Sequence, residues 1–354
     1  MTITEEKIKE GLSFVLEPDL KKDIISANLV SNIQIKDRKV SFRLKLNNPA
    51  MHNRKRMVEA CEHYLKLKVA DDLEIDVDVV ALGSEADREP DQRKVLNQVK
   101  KVIAIASGKG GVGKSTITAN LAAGLTKRGY KVGIIDADIY GPSMPLMFDV
   151  AMEKPVVSEV EGKRYMMPVE SPWGVKIMSI GFFTEGDQAV VWRGPMASKA
   201  LEQMFTDVFW GELDYMLIDL PPGTGDVHLT LVKQAPLDGA IVVSTPQEIA
   251  LADARKGVAM FNLDSIKVPV MGLVENMSWF VPEDMPEKKY FIFGKEGAVR
   301  LAEELKVPLL GQIPLVQSIR EAGDVGRPAV MQGDTIQAKA LQAFADQVIE
   351  TVEK

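Results

Sequence analysis

The stretch Lys101 to Thr118, KVIAIASGKGGVGKSTIT, constrains this chain more than any other. Val102 to Ala106 form a short apolar run with β-branched residues, the pattern of a buried strand. Gly108-Lys109-Gly110-Gly111-Val112-Gly113-Lys114-Ser115 then satisfies G-x-x-x-x-G-K-[ST] at every position. From Thr116 the apolar residues recur at helical spacing until Gly129, a C′ glycine by position. A glycine-rich loop between a strand and a helix lets backbone wrap closely around a polyphosphate, and the helix N-terminus offers it free N–H groups. Lys114 supplies positive charge for the β- and γ-phosphates, and the Ser115 hydroxyl is a ligand for Mg²⁺. A chance lysine in a glycine-rich turn would lack this context. The stretch predicts nucleoside-triphosphate binding.

The remainder of the chain must supply a core for that loop and acids for its metal. The 354 residues are 46% hydrophobic and 26% charged, a globular balance with room for two domains. Lys and Arg number 43 against 50 Asp and Glu, a net charge of −7 that argues against a nucleic-acid partner. No run reaches the roughly 18 apolar residues of a membrane span, and the polar opening MTITEEKIKE is not a signal peptide. One cysteine, Cys61, excludes an intrachain disulfide and fits a cytoplasmic protein.

Three regions follow from patterning. Residues 1–82 read as a small α/β domain: a helix near Thr4–Val15, a hairpin turning at Lys36–Lys39, a helix over Asn53–Leu67 and a strand in LEIDVDVVAL. Cys61 falls on the apolar stripe of the second helix and reads as a buried structural thiol. His52 and His63 have no second ligand at metal spacing. Residues 83–98 turn charged and polar and read as a linker. From 99 to 354 strands alternate with helices, which predicts βαβ units and a mainly parallel sheet flanked by helices. The expected strands are Val102–Ala106, Lys131–Asp136, Tyr215–Asp219, Gly239–Ser244, Val268–Val274 and Leu309–Gln312, with an inserted hairpin turning at Glu161-Gly162.

Ligands in such sheets bind at the carboxyl ends of the strands. One expected strand ends in Asp136-Ala137-Asp138, and another ends in Asp219 followed by the glycine-rich turn LPPGTGD. Acids at the tips of neighbouring strands can hold the water shell of a Mg²⁺ on Ser115, and one can orient the attacking water.

With Lys109 directly after its first glycine, the loop resembles the deviant phosphate loop of the MinD/ParA/nitrogenase-iron-protein class. GKGGVGKST, DADIYGPS, WRGPM (Trp192 to Met196), DLPPGTGD (Asp219 to Asp226) and ENMSWF (Glu275 to Phe280), in this order, resemble the Mrp/ApbC family of iron–sulfur cluster carriers. The N-terminal region resembles the small iron–sulfur-assembly domain often fused to that family. The likeness spans nearly the whole chain. It implies a P-loop ATPase that works as a homodimer, with Lys109 reaching the partner's nucleotide, Asp136 and Asp219 in the Mg²⁺ shell, Asp138 positioning the water and Asn276 contacting adenine. It also implies residues 108–116 around ATP, and iron–sulfur scaffold or recipient proteins as partners.

The departures are as informative. The family carries C-P-x-C after its ENMSWF-like segment, two cysteines from each subunit holding a shared [4Fe–4S] cluster. Here Pro282 and Met285 stand in the cysteine slots, and Met51 replaces the small domain's usual cysteine after Asn48-Pro49-Ala50. Proline offers no side-chain ligand and a thioether only a weak one. A MinD/ParA-like switch without a cluster is the alternative reading, but it needs an anchor. The C-terminal helix has an apolar stripe (Leu341, Phe344, Val348, Val352) with a mixed, partly acidic polar face, poorly suited to anionic membranes. The aromatic group Trp279, Phe280, Tyr290, Phe291 and Phe293 flanks the altered segment, with core packing expected and a partner or dimer surface as the alternative.

Overall fold

The computed structural model describes residues 4–17, 22–27, 29–36, 38–46, 51–81, 96–139, 141–183, 194–282 and 284–353. Most of the expected linker, Asn48–Ala50 of the small domain, Tyr140, Trp192, Arg193 and Glu283 lie outside them. The chain divides into two compact units, 1–91 and 92–354.

In the first unit, α1 (Glu5–Leu12) starts at Thr4, whose hydroxyl accepts the Lys7 N–H at 3.5 Å. Short strands β1 (Leu16–Glu17) and β2 (Lys22–Asp23) pair with each other. A three-stranded sheet follows: β3 (Val30–Lys36) antiparallel to β4 (Lys39–Leu46), and β4 parallel to β5 (Glu74–Ala81). The parallel pair needs a crossover, which α2 (Met51–Lys68) provides. Val40, Phe42, Leu44 and Leu46 alternate into the core, where they meet Ile8, Leu12 and Leu65. Cys61 is wholly buried there, and burial pushes its thiol up to about 12.

The second unit is built on one sheet, eight-stranded among the described residues. Its strands are β6 (Val99–Ala106), β7 (Val132–Asp136), β10 (Val169–Glu170), β11 (Val175–Ser179), β12 (Leu213–Asp219), β13 (Gly239–Ser244), β14 (Val270–Phe280) and β15 (Leu309–Leu315). Their order is β10-β11-β7-β12-β6-β13-β14-β15, parallel throughout except for β10. Helices α3 (Lys114–Lys127), α4 (Met144–Met147), α5 (Gly194–Thr206), α6 (Asp226–Gln234), α7 (Glu248–Phe261) and α8 (Gly297–Leu305) lie in the connections, and α9 (Gln317–Asp324) and α10 (Ile336–Glu353) follow the last strand. The central strands β7 and β13 are buried at every position, as expected where helices cover both faces. Helix α3 closes as the sequence suggests. Gly129 is left-handed (φ 88°), its N–H reaches Thr126 O at 2.9 Å, and the Tyr130 N–H reaches Leu125 O, a Schellman closure.

The hairpin β8 (Val156–Val160) and β9 (Lys163–Met167) turns through two left-handed residues, Glu161 and Gly162, the twist a two-residue hairpin requires. Several elements have no counterpart among those expected, β11, α4 and α9 among them. Strand β11 lies in a segment broken by Pro172 and Gly174, α4 has four residues, and the pattern of α9 is strongly polar, so none offers a long apolar period. Strand β14 runs six residues beyond the expected Val274, carrying Glu275 to Phe280 into the sheet. The α10 stripe Leu341, Phe344, Val348 and Val352 is buried in the core, so it is not free to serve as an anchor. Among the described residues, no helix is long and apolar enough to cross a membrane.

Candidate functional site

The site forms where β6, β7 and β12 end. The sheet order sets β12 between β6 and β7, with Asp219 beside Ile105 on one side and Asp136 on the other. The phosphate loop leaves β6 and enters α3 through Gly111 and Gly113, both left-handed (φ 81° and 80°). Two glycines are fixed by close approach as well. A Cβ on Gly108 would lie 2.1 Å from the Asp253 carbonyl oxygen of α7, and one on Gly113 would lie 2.2 Å from the Asn276 amide nitrogen.

Three side chains of the loop and helix converge on the Asp219 carboxylate. Lys114 Nζ is 2.7 Å from Oδ2, the Ser115 hydroxyl donates to Oδ2 at 2.7 Å, and the Thr118 hydroxyl donates to Oδ1 at 2.6 Å. Lys114 also lies 3.3 Å from Ser115 Oγ and 3.9 Å from Asp138 Oδ2. Lysine and acid are both buried, so the low local dielectric strengthens the pair. Thr118 was not among the residues expected here. It lies one helical turn beyond Lys114, a spacing that puts both on one face of α3.

Asp136 is also completely buried, but its bonds point elsewhere. Its Oδ2 accepts from the backbone N–H groups of Ser143 and Met144, each at 3.1 Å, and from the Ser179 hydroxyl at 2.9 Å. It therefore fastens the chain that carries Asp138 to the start of α4. Burial, with the Asp219 charge adding to it, pushes the Asp136 carboxyl up to about 7. The Asp138 N–H approaches Asp136 Oδ1 at 3.4 Å, and Asp138 itself is 14% exposed.

Asn276, late in β14, donates its amide to Val112 O at 2.8 Å and so meets the phosphate loop from the side opposite Asp219. Met277 after it is left-handed (φ 54°). The preceding Glu275 is a buried carboxylate that accepts the Ala298 N–H at 2.7 Å and the Gln312 amide at 2.8 Å, capping α8 against β15. Lys109 is half-buried and makes no hydrogen bond or ion pair among the described residues.

His228, on α6 just after the glycine-rich turn, was also not anticipated. It is 2% exposed, with Nδ1 3.2 Å from Pro221 O and its ring inclined at 63° to the Phe261 ring, centroids 6.2 Å apart. Burial, reinforced by the charge of Lys114, pulls it down to about 4.

The segment after β14 contrasts with all this. Phe280 and Tyr290 exchange backbone hydrogen bonds at 2.8 and 3.0 Å, and the Met285 N–H approaches Pro282 O at 3.3 Å. Tyr290, Phe291 and Ile292 are exposed, so part of the aromatic group is surface rather than core, while Lys289 sits over the Trp279 ring. Among the described residues, no three His, Cys, Asp or Glu side chains are grouped to hold a metal ion.

A parallel sheet whose first loop wraps a helix N-terminus, with a lysine, a hydroxyl and an acid meeting there, defines a P-loop nucleotide-binding enzyme. Residues 98–349 match the family described as NUBPL iron-transfer P-loop NTPase (ParA), and residues 5–83 match the iron-sulfur cluster assembly protein family. An iron-sulfur cluster carrier protein of Synechocystis sp. is 42% identical over 347 residues, covering 98% of this chain and 97% of that one. One from Escherichia coli strain K12 is 48% identical over 254 residues, 72% of this chain and 67% of that one. Among solved structures, the nucleotide-binding protein of Archaeoglobus fulgidus in complex with ADP superposes with a TM-score of 0.59 at 39% identity, covering 67% of this chain and 90% of that one. The cell division ATPase MinD of Pyrococcus furiosus gives 0.51 at 25% identity, covering 71% and 99%. The chain belongs to the NUBPL-type iron-transfer family of P-loop NTPases, the ATP-binding and ATP-hydrolysing enzymes to which iron–sulfur cluster carriers belong.

Proposed function

We propose that this chain binds Mg²⁺·ATP as a homodimer and uses its hydrolysis to move iron–sulfur clusters between scaffold and recipient proteins, without holding the cluster on cysteines of its own. The observation that carries the reading is the convergence of Lys114, Ser115 and Thr118 on the Asp219 carboxylate. Hydroxyl and carboxylate oxygens suit a hard cation such as Mg²⁺, which commonly keeps several waters and takes only one or two protein ligands beside the phosphates. Ser115 and Asp219 would hold it. Asp136 would join its water shell only, because three donors already occupy Oδ2. Bound there, the ion would neutralise charge between the β- and γ-phosphates.

The chain's own groups do the remainder. Residues 108–116 cradle the phosphates with backbone N–H groups, and Lys114 turns its ammonium from Asp219 to the phosphate oxygens. Asp138, 3.9 Å from Lys114, orients the attacking water. Asn276 keeps its amide oxygen free of protein donors among the described residues, which supports a contact to the adenine amino group. Lys109 likewise lacks a partner among those residues, which supports a role across the dimer.

The cluster is cargo, and the residues here do not fit it. Pro282 and Met285 offer no thiolate, and Cys61 is buried with a thiol that stays protonated. The thiolates would come from the partner proteins.

Asp138→Asn tests the hydrolytic reading. ATP should still bind with near-native affinity by calorimetry while phosphate release nearly stops, and the ATP complex should elute as a dimer. Unchanged turnover would refute the role of Asp138; a monomeric ATP complex would refute the dimer.

A further inference from the structure

We propose that His228 is a positioning residue for hydrolysis: its Nδ1–H holds the Pro221 carbonyl and thereby fixes the 220–225 turn across the phosphate loop. The turn is tied to the loop's own strand by backbone, with the Leu220 N–H on Ile105 O at 3.1 Å and the Gly223 N–H on Ser107 O at 2.9 Å. Between these two ties lie Pro221 and Pro222, which have no N–H to donate. Pro222 packs towards the loop itself, its Cβ 3.9 Å from where a Cβ on Gly110 would be. The Pro221 carbonyl is held by a side chain instead, at 3.2 Å from His228 Nδ1.

That acceptor fixes the tautomer, since a carbonyl can only accept and Nδ1 must carry the proton. Nε2 is then a lone-pair nitrogen, buried and without a partner among the described residues. An unpaired buried acceptor has a cost in stability, which a residue needed only to fill space would not incur. A leucine would pack against Phe261 as well. The ring is therefore read as a donor held rigidly by burial, and its target is the turn that follows Asp219. It acts on the turn and touches no nucleotide, so it influences the reaction through the Pro221 carbonyl.

The nucleotide's ground-state contacts belong to residues 108–116 and Asn276, whereas the turn follows the strand that bears the metal-binding acid. Loss of the tether should therefore appear in kcat and not in nucleotide affinity. Two variants separate tethering from packing. His228→Leu keeps the volume and removes the donor; His228→Asn puts an amide N–H close to the place of Nδ1. We expect kcat for ATP to fall about five- to tenfold in H228L, the order of one lost hydrogen bond, with KM within about twofold. H228N should restore most of kcat while leaving Nε2 without an equivalent. Turnover in H228L equal to the parent, or H228N as slow as H228L, would overturn the assignment.

A measurement on the unaltered chain stands apart from variant folding. With ¹⁵N-labelled histidine, the resonances missing from H228N identify His228, and they should show a neutral ring protonated on Nδ1. A ring protonated on Nε2 would overturn the proposal, because Pro221 would then have no donor. ATP binding that persists in H228L while turnover falls also keeps this test distinct from failure of the phosphate site itself.

Discussion

Two loops leave the carboxyl edge of the same sheet and are built in opposite ways. At the loop of residues 108–115 and the start of α3, polar side chains other than Lys109 are drawn into pairs: Lys114, Ser115 and Thr118 all find Asp219, and Asn276 finds Val112. At residues 281–292 charged and apolar side chains mix and most of the described ones are exposed, and Pro282 and Met285 stand at the two positions where the family resemblance expects cysteines. Asn276 and Phe280 stand four residues apart on β14, so one strand serves both loops. On the proposed reading, the difference teaches that the nucleotide engine and the cargo site are separable. A complete, mutually supporting polar network can persist beside a segment that has lost its ligands, because the network draws on β6, β7 and β12 and takes nothing from residues beyond Asn276.

The largest expected effect breaks the first loop. Lys114→Ala leaves the buried Asp219 without its cation, and nucleotide affinity by calorimetry should weaken by about 100-fold or more, the order found when one partner of a buried charge pair is removed. Affinity near the parent's would break the contrast outright, since the paired loop would then not be the binding loop.

The second test tries to convert one loop into the other type. Anaerobic reconstitution with iron and sulfide should leave the parent chain colourless, with no stoichiometric iron. The double variant Pro282→Cys, Met285→Cys places two thiolates on one tight turn, where Met285 N–H already approaches Pro282 O, and should acquire iron, sulfide and visible absorbance as a dimer. A stoichiometric cluster in the parent would show that this segment, or another, still serves as cargo site.

Gly113→Ala should have a smaller effect that reads backbone rather than charge. A left-handed alanine costs about 1–2 kcal/mol, and its Cβ would push Asn276 away from the loop. A thermal midpoint several degrees lower, with weaker ATP binding, is expected; an unchanged midpoint would mean the loop relaxes freely.

The smallest effect is on pH dependence. His228 is held near 4 in the fold against an ordinary value of 6.5, so folding favours the neutral ring. Its contribution is therefore fully present above pH 6.5 and is lost as pH falls towards 4. The thermal midpoint of the parent should drop more steeply than that of H228N across this window, and parallel curves would show that the ring is not buried as described.

Much of the candidate site was legible in the sequence for a local reason. Residues 108–115 carry much of their conformation locally, since the left-handed backbone of Gly111 and Gly113 favours glycine. The acids at 136, 138 and 219 were legible because apolar strands end in them. The positions of Thr118, Glu275 and His228 were not, because a threonine inside a helix, an acid inside a strand and a histidine after a turn are each ordinary by pattern. Strand β11 escaped too, being a short strand in a proline- and glycine-broken segment that its neighbour β7 recruits.

The sequence by itself determined that the chain binds nucleotide, where the loop lies and that Pro282 and Met285 stand where the family resemblance expects cysteines. All of these are statements about residue identity over a few neighbouring positions. Only the tertiary structure decided which partners each acid meets. Ser115 and Asp219 are 104 residues apart, and their 2.7 Å contact exists because β12 inserts between β6 and β7. The same insertion leaves Asp136 one strand further out, where backbone N–H groups and a serine claim it. Side-chain pairing across such distances depends on strand order, and strand order is set by how the whole core packs.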